Sequence, residues 1–408
     1  MISDGRAYVW VFPAGSSEPV VAGAVFPARA SNGMAFQYAR SYVEAGGVAL
    51  GPDLPAERGV VYPPVPGLGM PFTVRDSMPD SWGRQVINRQ LGVDLEDVLP
   101  DLRYMLESGS DRVGALDFQS SAAEYVARRS GGSLTTIAET AVAIDDDAPV
   151  GPELESAVRN TLTAAGGSQP KAFVRMEGRS WLAKFTTEYD RVSPLIKAER
   201  AAIHIAAKAG IDVPDARLLD VGGRGLTLLV ERFDRIGEQR RMVLSGNTVT
   251  EFSGALGGSY PLLVERLSGL SAKPSEVGPE LFRRLAFRMA MRIDDDHLRN
   301  IGVFWDGVHA EFTPAFDLSP DLNATPSGLT DIGGGSREFS LEALVRRHRF
   351  YRLSRAEAVA IARHMIDMVR AHVQDAADIA QMTASERSLL LRRTATPEII
   401  GDVESMSE

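Results

Sequence analysis

The sequence predicts an α/β (α+β) protein of two lobes, with a β-rich N-terminal subdomain and a mostly helical C-lobe. Three observations carry this. Strand-like runs in the opening residues are followed by the Pro/Gly-rich stretch 51–70, a loop or subdomain joint. Later, Lys171-Ala-Phe-Val-Arg and Trp181-Leu-Ala-Lys-Phe flank Glu177-Gly178 in a hairpin pattern, and a helix follows. Beyond residue 255 the spacing is mostly helical. The expected divisions are 1–110 for the N-terminal subdomain, 111–232 for the N-lobe and 233–408 for the C-lobe.

In chain order, Val9–Phe12 and Val20–Phe26 are predicted strands joined by the turn-prone Pro13-Ala14-Gly15-Ser16-Ser17. Helical patterning spans 80–107. Gly131-Gly132 marks a loop, and Asp145-Asp146-Asp147 reads as solvated linker rather than a metal site. Ser193-Pro194 opens a helix, with serine as N-cap and proline in the first turn. Gly210 closes it and Pro214 follows. Leu226–Val230 is a buried strand, and Leu285–Ile293 is a buried element. Ser354 and Glu357 form a capping box. Val359, Ala362, Ile366, Val369 and Val373 then make an apolar helical stripe for the core.

Composition narrows the class. At 408 residues the chain exceeds one small domain. A net charge of −10 argues against a non-specific nucleic-acid binder, which needs a basic surface. Without cysteine there is no disulfide or thiolate chemistry, which fits a reducing cytoplasm. The opening MISDGRAYVWVF lacks the charged and apolar regions of a leader. No apolar run approaches the ~18 residues of a membrane span. A cytoplasmic protein without membrane contact is expected.

The chemistry is concentrated in Asp295-Asp296-His297-Leu298-Arg299-Asn300 and Ala315-Phe316-Asp317-Leu318. Phosphoryl transfer needs an acid to orient the attacking hydroxyl, and an amide and a second carboxylate to hold Mg²⁺ against the phosphates. The D-x-x-x-x-N spacing from Asp295, followed by an aromatic-Asp pair, supplies them in protein-kinase order. Asp295 is the candidate base. Asp296 is its rival, one residue short of that spacing. His297 would be structural or phosphate-side; one histidine without cysteine makes a poor metal site.

Upstream, Thr163 to Lys171 (TAAGGSQPK) has the small residues that let backbone N–H groups approach a phosphate, without Walker A spacing. The same run would serve as an ordinary loop. Lys184 is a cation within an apolar strand, so it must snorkel out or meet an anion. On the next helix, 3-4-3 spacing puts Glu199 on the apolar face with Ile196, Ile203 and Ala206. A Lys184–Glu199 pair would place the lysine on nucleotide phosphates, or would be a structural salt bridge. Leu228 to Glu231 running into Phe233 has the look of an adenine hinge. The basic run Arg346-Arg347-His348-Arg349 is either a solvated helix end or a docking patch for an acidic partner or tRNA.

The segments GGSQPK, WLAKF, LIKAERAAIHIAAKAGIDVP, LLVERFDR, DDHLRN and TPAFDLSP occur in the order seen in HipA-type toxin kinases. GMAFQYARSYVEAGGVALGPDLP and DSMPDSWGRQVINRQLG extend the likeness over nearly the whole chain. The sequence therefore resembles that family of serine/threonine kinases of type II toxin–antitoxin modules. The resemblance implies a protein-kinase-like fold with a HipA-type N-terminal subdomain, and ATP and Mg²⁺ as cofactors. It implies a helix-turn-helix (HipB-like) antitoxin, with operator DNA reached only through it, and an aminoacyl-tRNA synthetase as target. It makes Asp295 the base and Asn300 and Asp317 the Mg²⁺ ligands. Lys184 would contact ATP phosphates with Glu199 in support; Glu231 and Phe233 would form the hinge; Gly166, Gly167 and Ser168 would lie in the phosphate loop. Many relatives silence themselves by autophosphorylating a serine at the front of that loop; here Thr163 stands there, with Ser168 as a second candidate. The alternatives are a kinase-like co-repressor and a small-molecule kinase.

Overall fold

The opening strands build an antiparallel sheet in the order Val61–Tyr62, Met34–Tyr38, Val20–Pro27, Ala7–Val11 and Leu116–Gln119. A register shift between Val9 and Trp10 breaks the simple in-out alternation. The fifth strand, which pairs Val9 with Phe118, lies beyond residue 110, so the sheet closes only when the chain returns from the helix Asp101–Glu107. Residues 51–70 are more than a joint. Leu50 and Leu54 are buried in the core of this sheet, and the Tyr38 hydroxyl donates to Leu54 O at 2.6 Å while accepting from Leu50 N at 2.8 Å.

The structure is a computed structural model. It describes every residue except 1–4, 30, 94–97, 130, 152–159, 164–168, 188–189, 191–193, 223–224, 255–256, 324–327, 404 and 406–408. The chain forms two compact units. Unit 1 comprises 1–187, 219–244 and 304–308; unit 2 comprises 188–218, 245–303 and 309–408.

Unit 1 also holds the predicted hairpin. Lys171–Met176 and Arg179–Phe185 pair in antiparallel register around Glu177 and Gly178, both with positive φ. Leu226–Glu231 joins the other side of Arg179–Phe185, as the buried strand expected from sequence. A helix at Leu134–Asp145 escaped the sequence reading. Its β-branched residues depress helix propensity, but Ile137, Ala138, Ala141 and Ile144 are buried against the sheet's core. Asp145, expected in a linker, ends that helix. The Ser133 side chain caps it by accepting from Thr136 N at 3.1 Å. Ser133→Ala is expected to cost about 1 kcal/mol, read as a lower urea midpoint at unchanged slope.

Unit 2 is mostly helical, with Leu195–Lys208, Tyr260–Leu270, Pro274–Ala290 and Arg355–Ile379 its principal helices. The first of these starts one residue later than expected, with Pro194 at the N-cap; Ser193 lies outside the described residues. It ends as expected, with Gly210 at φ 78°. The capping box of Ser354 and Glu357 is present, and the whole predicted stripe from Val359 to Val373 is buried. Two short strands interrupt the helical pattern: Gly302–Trp305, whose last two residues count with unit 1, and Ala310–Phe312. No helix among the described residues is long and apolar enough to cross a membrane.

Candidate active site

In unit 2 the Pro274–Ala290 helix ends in a tight turn. Arg292 takes a left-handed φ of 60°, and Ile293 N reaches back to Arg288 O at 2.8 Å. The turn delivers Asp295, whose carbonyl oxygen accepts Arg288 Nη2 at 2.6 Å and Asn300 Nδ2 at 3.0 Å. The helix end and the loop's last residue thus grip one peptide oxygen, which fixes the D-x-x-x-x-N segment.

The rival acids face different surroundings. The Asp295 side chain is 59% exposed, whereas Asp296 is 3% exposed. Asp296 Oδ1 accepts Leu329 N at 2.8 Å, and its carbonyl oxygen accepts Thr330 Oγ1 at 2.7 Å and the Tyr260 hydroxyl. Asp295 is open to a partner; Asp296 is turned into the protein.

His297 lies beside the open acid, with Nε2 3.1 Å from Asp295 Oδ1. Burial pushes its pKa below the usual 6.5, while the charges of Asp295 and Asp317 pull it upward. The imidazole therefore senses both predicted catalytic carboxylates. It is suited to orienting Asp295 by a hydrogen bond.

Asn300 ends the short turn Leu298–Asn300. From there Gly302–Trp305 and Ala310–Phe312 carry the chain out and back, with Thr313 N donating to Gly302 O at 3.0 Å. Ala315 N donates to Asp212 O at 2.7 Å, and Asp317 follows with a left-handed φ of 53°. A non-glycine residue in that region is strained, and such strain concentrates at functional sites. Asn300, Phe316 and Leu318 line one small cleft with Arg288 and Ala315. No group of three His, Asp or Glu suited to a metal occurs among the described residues. Asn300 and Asp317 offer an amide and a carboxylate oxygen, the donor types that Mg²⁺ takes.

Glu199 is 1% exposed and accepts Ser319 Oγ at 2.8 Å. It ties its helix to the segment just past Asp317. The spacing placed Glu199 on a buried face; it gave no hint of Ser319, 120 residues away.

In unit 1, Lys184 is 3% exposed within its strand. Directly across the hairpin lies Lys171, 7% exposed. Two buried ammonium groups opposite each other repel unless an anion lies near both. Lys171 was placed at the end of the loop and the start of the predicted hairpin, without a functional role; its register against Lys184 was the signal for more. The Glu231 carboxylate pairs with Arg179 across the sheet, with Arg179 Nε to Oε1 at 2.7 Å. Phe233 packs edge-on against Phe304 at 5.9 Å. Thr163 is fully buried and its Oγ1 accepts Gly109 N at 3.0 Å. Gly166, Gly167 and Ser168 lie outside the described residues.

The basic run behaves as a helix end. Arg347 Nη1 donates to Ala343 O at 2.7 Å and Nε to Gly333 O at 2.9 Å, and Arg352 Nη1 donates to Pro274 O at 3.1 Å. The bond to Ala343 O satisfies a carbonyl near the end of the Leu341–Arg346 helix.

The fold is kinase-like. The chain belongs to the HipA family: the model of the HipA-like C-terminal domain matches residues 163–379, and that of the HipA N-terminal domain matches residues 18–119. A solved structure with the same fold is the Shewanella oneidensis MR-1 toxin–antitoxin complex of HipA, HipB and operator DNA. The match has a TM-score of 0.70 and 18% identity, and it covers 97% of each chain. The Helicobacter pylori proinflammatory kinase CtkA aligns with a TM-score of 0.38 and 13% identity, over 60% of this chain and 94% of its own. No curated protein sequence matches the chain.

Proposed function

We propose that this protein is a Mg²⁺/ATP-dependent protein serine/threonine kinase, the toxin of a type II toxin–antitoxin module. The observation that carries the reading is the division of labour between adjacent acids. Asp295 is solvent-facing and touched by His297, on a loop gripped by Arg288 and Asn300.

In this reading Asp295 accepts the proton of the acceptor hydroxyl as its oxygen bonds to the γ-phosphorus. The bond from that phosphorus to the leaving ADP oxygen breaks. His297 orients the Asp295 carboxylate. Asn300 and Asp317 would hold Mg²⁺, which would supply neutralisation of the phosphate charge. Lys184 contacts the phosphates and Lys171 lies opposite it, and phosphate contact is assigned to Gly166, Gly167 and Ser168 as well. Glu231 and Phe233 border the adenine. The expected support of Lys184 by Glu199 joins residues of different units and belongs to the proposal. Autophosphorylation at Thr163 would require its hydroxyl to leave Gly109; Ser168 is the other candidate.

The family and the Shewanella assembly support a HipB-like helix-turn-helix antitoxin as partner, with DNA reached through it. An aminoacyl-tRNA synthetase is the proposed target, and the cytoplasm the proposed location. Labelled ATP and Mg²⁺ with cell extract test the reaction. A protein band labelled by the wild type, and lost both with EDTA and in Asp317→Ala, is expected. ATP binding without any label would favour a co-repressor; label confined to metabolites would favour a small-molecule kinase.

A further inference from the structure

Asp296 has no part in the reaction just described, yet it is buried beside the residue that does. A carboxylate kept from water is costly unless it is hydrogen-bonded or paired. What it holds is the segment beyond Asp317. Its Oδ1 takes Leu329 N, and its carbonyl takes Thr330 Oγ1 and the Tyr260 hydroxyl. The following residues are fixed in turn. Asp331 N donates to Gly258 O at 3.0 Å, Tyr260 N to Asp331 O at 2.9 Å, and Gly333 N to Asp331 Oδ1 at 2.8 Å. The Tyr351 hydroxyl donates to Ile332 O at 3.0 Å. One residue before this clasp, Arg288 and Asn300 grip Asp295. Adjacent residues thus fix the catalytic acid and the 329–333 segment.

We propose that Asp296 is a positioning residue whose ionised carboxylate locks the 329–333 segment to the catalytic loop, and so sets where the acceptor hydroxyl meets Asp295. The acceptor's place in this statement rests on the kinase reading, because in protein kinases the stretch after the metal-binding aspartate is the activation loop. The clasp itself does not rest on it.

The lock has a pH at which it opens. Burial raises the Asp296 carboxyl to about 6, against the opposing pull of the Leu329 N–H and Arg288. The Leu329 N–H lowers this carboxyl, so parting Leu329 from it while it stays buried takes up a proton and is favoured as pH falls; full exposure of the carboxyl on unfolding has the opposite sign. Several charged or titratable groups face this point: Arg288 on the Pro274–Ala290 helix, Tyr260 on its own helix, Tyr351 and Asp331 beyond, and Asp295 and His297 on the loop. Burial raises both tyrosines far above their ordinary value, so they stay neutral. His297, lowered below 6.5, is the rival source of a step in this range.

Backbone hydrogen exchange on the full chain separates them. Protection of the amides at 329–331, corrected for intrinsic rate, is measured from about pH 5 to about pH 7.5. In the wild type it should drop about tenfold as pH falls through the transition, the equivalent of one hydrogen bond to a charged group. Asp296→Asn keeps an oxygen acceptor and should give a flat profile with His297 still present. Thr330→Val, which spares the carboxylate, should keep the step. A flat wild-type profile, or a step that persists in Asp296→Asn, overturns the proposal. In parallel, phosphate transfer from Mg²⁺/ATP to casein should show an acid limb near pH 6 that Asp296→Asn lacks; a limb unchanged in that variant overturns the coupling to catalysis. If the wild type transfers no phosphate to any protein, the kinase reading fails, and the exchange profiles still decide the lock.

Discussion

Asp295→Asn should lower phosphate transfer by about 10²–10⁴-fold, the range for loss of a positioned acid–base group. The fold should survive. The Asp295 carbonyl, gripped by Arg288 and Asn300, belongs to the backbone and is untouched by the change. The exposed side chain has His297 as its hydrogen-bonding neighbour, and an amide can still accept from Nε2. Nucleotide affinity should therefore change little while turnover collapses. The check is single-turnover label transfer beside ATP binding measured by calorimetry. Wild-type turnover in this variant would remove Asp295 from the mechanism. The matching change at Asp296 should instead alter the pH profile, because that side chain faces Leu329.

The largest loss of stability is expected at Asp234, within unit 1. Its carboxylate accepts Arg232 Nε at 2.9 Å and Nη2 at 2.8 Å, Arg235 Nη1 at 2.9 Å, and Gly114 N at 2.8 Å. Asp111 shares both arginines, so three strand ends are tied by one ionic knot. Asp234→Ala leaves two nearly buried guanidinium groups short of a counter-charge and should cost about 3–5 kcal/mol, the usual cost of breaking a buried pair from one side. A urea titration at neutral pH reads it; a change below about 0.5 kcal/mol, typical of an ordinary surface position, would show the knot is dispensable.

The same group predicts a pH trend. Burial alone would raise the Asp234 carboxyl, but Arg232 and Arg235 hold it below the ordinary carboxylate value. Its contribution is present above that ordinary value and is lost as pH falls through the depressed one. Asp296 has the opposite sign. Between 3.8 and about 6 its folded form binds the proton more tightly than the unfolded chain, so stability falls as pH rises through that window. Asp296→Asn should remove this second trend and leave the acid loss due to Asp234.

The sequence by itself determined what depends on near neighbours. The hairpin around Glu177-Gly178, the capping box at Ser354 and the stripe from Val359 to Val373 all follow from spacings of a few residues, where propensity and side-chain period act. The five-residue interval from Asp295 to Asn300 was legible for the same reason, since the bond from Asn300 Nδ2 to the Asp295 carbonyl closes within one loop. Tertiary structure decided the rest. Which of two adjacent aspartates faces solvent depended on Leu329 and Thr330, over thirty residues away. The Ser319 bond to Glu199 and the opposition of Lys171 to Lys184 needed distant partners or strand register. The Leu134–Asp145 helix formed against its local propensity because its apolar face is buried. Local spacing fixes which groups are available along the chain, whereas burial and long-range hydrogen bonds fix which way each one faces.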